Sequence, residues 1–382
     1  MDLRLNEEQL MIRQTVRDIA RDRIAPRAAE IDRSGEFPWD IVELFREHDL
    51  FGLPFPPEYG GLSGSALTLN VAVEEIAKVC ATSAIILAVQ SLAGYPLMLA
   101  GSEEQKLRLL PDLASGRKLA AYALSEPGAG SDPAGMDTRA ERHGDEYVIT
   151  GSKLWITEGG VADTITVFAK TDLNARSRGI SAFVLEDAQH LRGFTATTIH
   201  GKMGIRGSNT AELHFDELVV PAANRIGEEG DGFRLAMRVL DRSRPGVAAQ
   251  ALGIAQGALD YALGYVKARQ QFGKAIAEFQ GVQFMLADME AQTAAARGLV
   301  YTASQMIDDG NPDVTHTAAL AKLLAGDAAM KVTTDAVQIL GGYGYVNEYP
   351  VERMMRDAKI TQIYEGTQQI QRLVIARDLL QG

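Results

Sequence analysis

Apolar positions in the first third of the chain recur at helical spacing, as at Ile12, Val16 and Ile19, and Pro54, Pro56 and the Gly60–Gly61 pair interrupt the pattern. Helices are therefore expected from Asn6 to Ala114. From Lys118 to about Val220 the pattern becomes short β-branched runs, Thr164–Lys170, Ile180–Leu185, Phe194–Ile199 and Ala211–Phe215, with His143-Gly144-Asp145 reading as a hairpin turn. Beyond Pro221 the helical period returns. Leu252, Leu259, Leu263 and Val266 share one stripe, and Phe284, Met285 and Met289, then Leu320, Leu323 and Met330, mark two further helices. Pro245 reads as a helix break, and the segment before it, or the final one, completes a bundle. The order of helices, strands and helices has no βαβ alternation, so no doubly wound dinucleotide fold is expected. The predicted class is α+β multidomain: an N-terminal helical domain (1–117), a middle β-barrel or sandwich domain (118–222) and a C-terminal four-helix bundle (223–382), joined by short linkers near Pro111 and Pro221.

One stretch changes the picture if misread. Val79 to Ser102 carries no charged residue and is long enough to cross a bilayer. Its Thr82, Ser83, Gln90, Ser91, Gly94 and Pro96 point instead to a helix buried inside a large protein. The N-terminus, MDLRLNEEQL, lacks the basic and apolar regions of a signal peptide and carries acidic residues that a transit peptide avoids, which suits a cytoplasmic chain. Of 382 residues, 46% are hydrophobic and 23% charged, the balance of an ordinary folded protein with room for a large core. Fifty acidic against 38 basic residues give a net charge of −12, a field that repels nucleic acid and anionic lipid. The single cysteine, Cys80, rules out an internal disulfide and a multi-thiolate metal site, so no metal is expected and any cofactor should be organic. The 27 arginines against 11 lysines, in an alanine-rich chain, suggest a GC-rich bacterial source.

Five segments carry candidate chemistry. Tyr122-Ala-Leu-Ser-Glu-Pro-Gly-Ala-Gly-Ser-Asp132 runs from a strand end into a loop whose Gly128 and Gly130 let backbone N–H groups approach a ligand, although a plain turn has the same composition. In Lys153-Leu-Trp-Ile-Thr-Glu-Gly-Gly160, Trp155 could stack on a planar cofactor beside the Thr157 hydroxyl, or fill a core. Asp241-Arg-Ser-Arg-Pro245 offers two guanidinium groups, suited to phosphate or carboxylate, or a solvated turn. Arg269-Gln-Gln-Phe-Gly273 with Gln280 could neutralise a pyrophosphate or cap a helix. In Tyr364-Glu-Gly-Thr-Gln-Gln-Ile370, Glu365 precedes a glycine in a loop, where a carboxylate can be held against a substrate or simply be solvated.

In order and spacing these segments resemble the acyl-CoA dehydrogenase family, and the resemblance covers essentially the whole chain. YALSEPGAGSD is similar to the family's first signature, KLWITEGG to the strand that contacts the flavin, MGIRGSNT to the β-domain loop, QILGGYGY to the helix end that contacts the dinucleotide, and DAKITQIYEGTQQIQRLVIAR to the second signature. The resemblance implies FAD bound between the β domain and the bundle. Tyr122, Leu124, Ser125, Gly130, Ser131, Trp155, Ile156 and Thr157 would face the flavin or its ribityl chain. Arg269, Gln271, Phe272, Gln280 and Gln338, Ile339, Leu340, Gly341 and Gly342 would hold the pyrophosphate and adenosine, mostly across a subunit interface, and Thr367 and Gln369 would complete the site. Ser131, Asp241, Ser243, Arg244, Gly366 and Arg377 match substrate-contacting positions, and the acyl tail should run toward Val89–Leu99.

The implied reaction is α,β-dehydrogenation of a saturated acyl-CoA thioester to the trans-2-enoyl-CoA, as in fatty acid β-oxidation. Glu365 would be the α-proton base, flavin N5 the hydride acceptor and an electron-transferring flavoprotein the electron partner. A homotetramer is implied. Some family members carry the base at the position of Ser243, and its absence here favours straight-chain or 2-methyl acyl-CoAs of short to medium length. Two departures stand out: Ser125 replaces the more frequent Thr, and Glu158 stands where Asn is common, which would add negative charge near the flavin edge. The alternatives are an oxygen-using flavoenzyme of the same fold, such as an acyl-CoA oxidase, disfavoured by the missing C-terminal extension and the retained YEGT, and a non-catalytic acyl-CoA-binding protein.

Overall fold

The computed structural model describes residues 5–381. The N-terminal part is helical: α1 (Glu7–Ile19), α2 (Ala28–Ser34), α3 (Trp39–Glu47), α4 (Ala66–Ala77), α5 (Ala81–Ala100) and α6 (Glu103–Ala114). Asn6 with Gln9 and Ser102 with Gln105 close reciprocal capping boxes on α1 and α6, each worth about 1 kcal/mol of helix stability. α5 is the uncharged stretch of the sequence. It is buried from Ala81 to Leu97, which explains why it has no polar face: it is a core helix and not a membrane span.

The middle part forms one eight-stranded sheet from β1 (Ala120–Ala123), β2 (Arg139–His143), β3 (Glu146–Thr157), β4 (Thr164–Lys170), β5 (Ile180–Leu185), β6 (Phe194–Thr198), β7 (Thr210–Pro221) and β8 (Arg225–Ile226). The order is β6-β7-β3-β2-β4-β5-β8, with β1 added in parallel to β4. The β2–β3 hairpin turns at Gly144–Asp145, as the sequence suggests. β1, β4 and β5 are buried on both faces. Ala121, Val167, Phe183 and Leu185 enter the core of the sheet domain, whereas the alternate residues Tyr122, Phe168, Ala182 and Val184 pack on α5 and α6. Double burial is the reason these strands read as continuous apolar runs.

The C-terminal part holds α7 (Gly232–Ala268), a two-residue hairpin of β9 (Gln270–Gln271) and β10 (Lys274–Ala275), α8 (Gln280–Asp308), α9 (Val314–Leu340), α10 (Pro350–Ala358) and α11 (Gln368–Gln381). Two proline expectations are corrected here. Pro245 does not break the chain, since α7 runs through it, and Pro111 lies within α6 instead of in a linker. Pro245 is itself buried in the bundle, and packing on a long helix outweighs one missing backbone hydrogen bond.

One hydrophobic core joins the first and last thirds, from Val16 and Ile24 through Val73 and Ile86 to Leu252, Val300, Val332 and Ala358. α4 and α7 meet almost backbone to backbone: a Cβ on Gly253 or Gly257 would lie 2.4 Å from the Glu74 carbonyl oxygen or 2.0 Å from that of Lys78. Only glycine allows that approach. Leu263 and Phe284, expected on inward stripes, are exposed.

Candidate active site

β3 carries a register irregularity between Lys153 and Ile156, and Trp155 within it has φ +66°. A bulge adds a residue and re-aims its neighbours. Trp155 is thereby turned outward and is 61% exposed, so the core reading of this tryptophan is excluded. The freed Leu154 amide donates to the Ser125 carbonyl at 2.9 Å, which brings the Ser125 loop against the Trp155–Thr157 strand. The loop turns at Glu126–Ala129, whose backbones exchange two hydrogen bonds of 3.1 Å.

Beneath this junction lies an ion pair that the sequence reading missed. The Lys153 ammonium, with no solvent exposure, donates to Glu126 Oε1 at 2.7 Å and to the Leu124 carbonyl at 3.1 Å. Glu126 also accepts the Asp137 and Thr138 amides at 2.5 and 3.1 Å. Burial pulls the Lys153 ammonium down to about 8 against the attraction of Glu126. Burial acts to raise Glu126, but the Lys153 charge and the donated hydrogen bonds together hold it below the usual carboxylate range. Glu158 corrects an expectation. Its carboxyl is wholly buried with no hydrogen-bond partner, and burial raises it well above the ordinary range, so it adds a neutral acid and not a negative charge.

Glu365 sits between α10 and α11 in a left-handed turn, with φ +50°, followed by Gly366 at +89°. Its carboxylate accepts from Ser243 Oγ of α7 at 2.5 Å. Burial raises the Glu365 carboxyl, while the Ser243 hydrogen bond and the Lys322 and Arg244 charges oppose the rise. Arg244 is buried, donates to Asp241 Oδ1 at 2.7 Å and leaves its Nε unpartnered; Asp241 is steadied by Thr315 at 2.7 Å. Arg377 is exposed on α11 but close enough for its charge to act on Arg244. The structure thus gathers Asp241, Ser243, Arg244, Glu365, Gly366 and Arg377 in one place.

Tyr122 completes this group from β1. Its ring meets Phe168 edge-on at 5.1 Å, its hydroxyl is buried without a partner, and burial together with the Glu365 charge raises it well above its usual value. Tyr95 of α5, which sequence reasoning did not single out, is likewise within electrostatic reach of Glu365, and burial pushes its hydroxyl up to about 12. Leu124 and Ile156 are buried, Ser125 and Thr157 half-buried, and Gly130 and Ser131 exposed at the loop. Thr367 Oγ1 accepts the Ile370 amide at 3.3 Å at the start of α11, and Gln369 is exposed.

The remaining predicted cofactor residues lie elsewhere. Arg269, Gln271, Ile339, Leu340, Gly341 and Gly342 line a cleft of about 630 Å³ at the far end of α7, with Tyr265 and Tyr343. The Arg269 guanidinium stacks over the Tyr343 ring at 5.3 Å. Gln338, one residue before this lining, and Gln280, at the start of α8, are exposed; Phe272, at the tip of the hairpin, is 92% exposed with φ +53°. At 1.5 Å per residue, α7 places Arg269 roughly 39 Å from Ser243.

The residues present fit FAD. Tyr122 offers an orphaned buried hydroxyl beside Glu365, and at Gly128, Gly130, Gly341 and Gly342 the space a Cβ would take is open, leaving room for a ligand against the backbone.

Comparison with known proteins agrees over the full length. The chain matches the family models described as acyl-CoA dehydrogenase N-terminal domain over residues 6–117, middle domain over 121–218 and C-terminal domain over 230–380. It is 49% identical to the short-chain specific acyl-CoA dehydrogenase of Clostridium acetobutylicum, covering 98% of this chain and 99% of the relative. Among solved structures, butyryl-CoA dehydrogenase from Megasphaera elsdenii superimposes with a TM-score of 0.97 at 46% identity over all of both chains. A chain from a study of the electron-transferring flavoprotein of Acidaminococcus fermentans matches with the same score, identity and coverage.

Proposed function

This chain belongs to the acyl-CoA dehydrogenase family, an FAD-dependent enzyme family, and from that premise we propose that it oxidises a short saturated acyl-CoA to the trans-2-enoyl-CoA with Glu365 as the base. The observation that carries this reading is the placement of Glu365: a carboxylate on a loop, desolvated among buried aromatic residues, one hydrogen bond from Ser243. A thioester α-proton is weakly acidic, so an ordinary solvated carboxylate removes it poorly. Burial strengthens Glu365 as a base, and its carboxylate lies one hydrogen bond from Ser243 of α7 and within electrostatic reach of Tyr122 on β1. The Glu365 backbone N–H, exposed by the left-handed turn, is the donor for the thioester carbonyl, where negative charge develops as the proton leaves. Arg244, paired with Asp241, and Arg377 bind the CoA side. The apolar surface of α5 around Val89, Leu92 and Leu97 takes the acyl tail. Tyr122, Ser125, Trp155 and Thr157 would hold the flavin of FAD, which would supply the hydride acceptor for the β-hydrogen. Similarity to the short-chain and butyryl-CoA enzymes supports a short acyl group, and similarity to the chain from the flavoprotein study supports an electron-transferring flavoprotein as the acceptor.

The test is an anaerobic titration of the purified holoenzyme with butyryl-, 2-methylbutyryl-, octanoyl- and palmitoyl-CoA, following the visible flavin absorbance. Butyryl-CoA should bleach it at stoichiometric amounts and palmitoyl-CoA should not. A yellow protein that none of the four bleaches would sink the proposal.

The distance along α7 separates the Glu365 centre from the Arg269 cleft, which supports a cofactor shared between two copies, the flavin on one subunit and the adenosine end on its neighbour. Within a homotetramer each such site is complete. Arg269→Ala should weaken FAD retention roughly tenfold to a hundredfold, the worth of a charged hydrogen bond to phosphate. Flavin released on gel filtration measures it, and full retention at low protein concentration would count against the shared site.

A further inference from the structure

Lys322 of α9 has no solvent exposure, yet among the described residues it faces no carboxylate at hydrogen-bond distance. Its ammonium donates instead to the Gly366 carbonyl at 2.7 Å and to Gln368 Oε1 at 3.2 Å. The same carbonyl accepts Gln371 Nε2 at 3.0 Å. Gly366 is the second residue of the left-handed turn that carries Glu365, so this buried cation is fastened to the peptide that aims the carboxylate. A lone ammonium is costly to bury, and helix packing could have been served by leucine or methionine. Its retention calls for an electrostatic reason.

We propose that Lys322 is a positioning residue for the Glu365 base, pinning the Glu365–Gly366 turn and supplying the positive charge that keeps the Glu365 carboxyl deprotonated in a desolvated site. This rests on the reading of Glu365 as the base. The charges facing Glu365 are few: Arg244 with its partner Asp241 from α7, Lys322 and the more distant Asp327 from α9, and Arg377 from α11 beyond Arg244. The uncharged hydroxyls of Tyr95, Tyr122 and Tyr364 lie within its electrostatic reach, that of Tyr364 donating to Gln250 of α7. Arg244 is engaged by Asp241 and Arg377 is exposed, which leaves Lys322, among the described residues, as the buried cation here whose charge is not neutralised by a hydrogen-bonded carboxylate. Burial draws the Lys322 ammonium down to about 7, opposed by Glu365 and Asp327 and reinforced by Arg244, so its charge is present below neutrality and fades above it.

The experiment compares Lys322→Met, similar in length and without charge, with the wild type. Anaerobic stopped-flow reduction of the flavin by butyryl-CoA is followed from mildly acidic to alkaline pH. Loss of the cation should move the midpoint of the acidic limb up by about one pH unit, so that the rate falls by up to roughly tenfold on the acidic side of the midpoint and matches the wild type at alkaline pH, where the wild-type ammonium has itself lost its proton. A purely structural role lowers the rate equally at every pH and leaves the midpoint in place, which would overturn the proposal. The carbonyl stretch of protonated Glu365, assigned in infrared difference spectra by its absence in Glu365→Gln, should titrate with the same displaced midpoint. Lys322→Gln, which keeps a donor for the Gly366 carbonyl but carries no charge, should move that midpoint in the same direction. It serves if Lys322→Met does not fold, and an unmoved midpoint in it would then overturn the inference. Glu365→Gln separates the two readings: if that variant still bleaches, the base assignment fails, whereas if it is inactive and the midpoints stay fixed, only the role of Lys322 fails.

Discussion

Glu365→Gln is expected to abolish flavin bleaching by butyryl-CoA, slowing it by about 10³-fold or more, the upper range for removing a general base. The amide keeps the shape of the side chain and can still accept from Ser243, so the turn and the FAD content should be unchanged. What disappears is the capacity to take a proton. Any remaining rate should no longer rise with pH, because the group whose deprotonation is required has gone. The decisive comparison is stopped-flow reduction of wild type and variant at equal flavin occupancy. Equal rates would remove Glu365 from the mechanism, and loss of FAD in the variant would show that the residue supports the fold instead.

Lys153→Met should produce the largest loss of stability. It leaves the Glu126 carboxylate buried with its two amide donors and no counter-charge, a change that costs about 3–5 kcal/mol in buried pairs. The damage reaches the site, because Lys153 also holds the Leu124 carbonyl, and Ser125 is the next residue. Denaturation followed by circular dichroism should show an earlier transition, and the protein should purify with less flavin. Adding Glu126→Gln should restore part of the loss, since the stranded charge is then gone. An unaltered transition with full flavin would show that the pair holds nothing.

Much of the architecture is legible in period and punctuation. The helical first third, the strands at Thr164–Lys170 and Ile180–Leu185 and the hairpin turn at Gly144 follow from local preference, and local preference agrees there with the final packing. Pro245 is misread because a local rule about one hydrogen bond is set against a helix packed along its whole length. Glu158 is misread for the opposite reason: sequence shows a charged residue type, and only burial decides whether it is charged. The candidate site residues come from signature segments. Two of those signatures contain Glu126 and Lys153 but say nothing of their pairing across the fold, and Tyr95 and Lys322 lie outside all of them, so none of the four is given a role. A lysine in an alanine-rich helix looks like a solvated face until α11 and the Glu365 turn are packed over it.

The core shared by the first and last thirds sets the order in which this chain can fold as it is synthesised. α4 and α5 leave the ribosome with apolar faces whose partners on α7, α8 and α9 are encoded more than a hundred residues later. The sheet meets less of this delay: its strands pair among themselves, α6 and the second half of α5, already made, cover most of its outer face, and only Leu235, Ala236 and Val239 at the start of α7 are added later. The middle of the protein can therefore settle first, while the opening helices wait for the last helices to arrive. A chain cut short before α7 would carry α4 and the first half of α5 as bare apolar surface, the feature by which chaperones and proteases distinguish an unfinished product from a finished one.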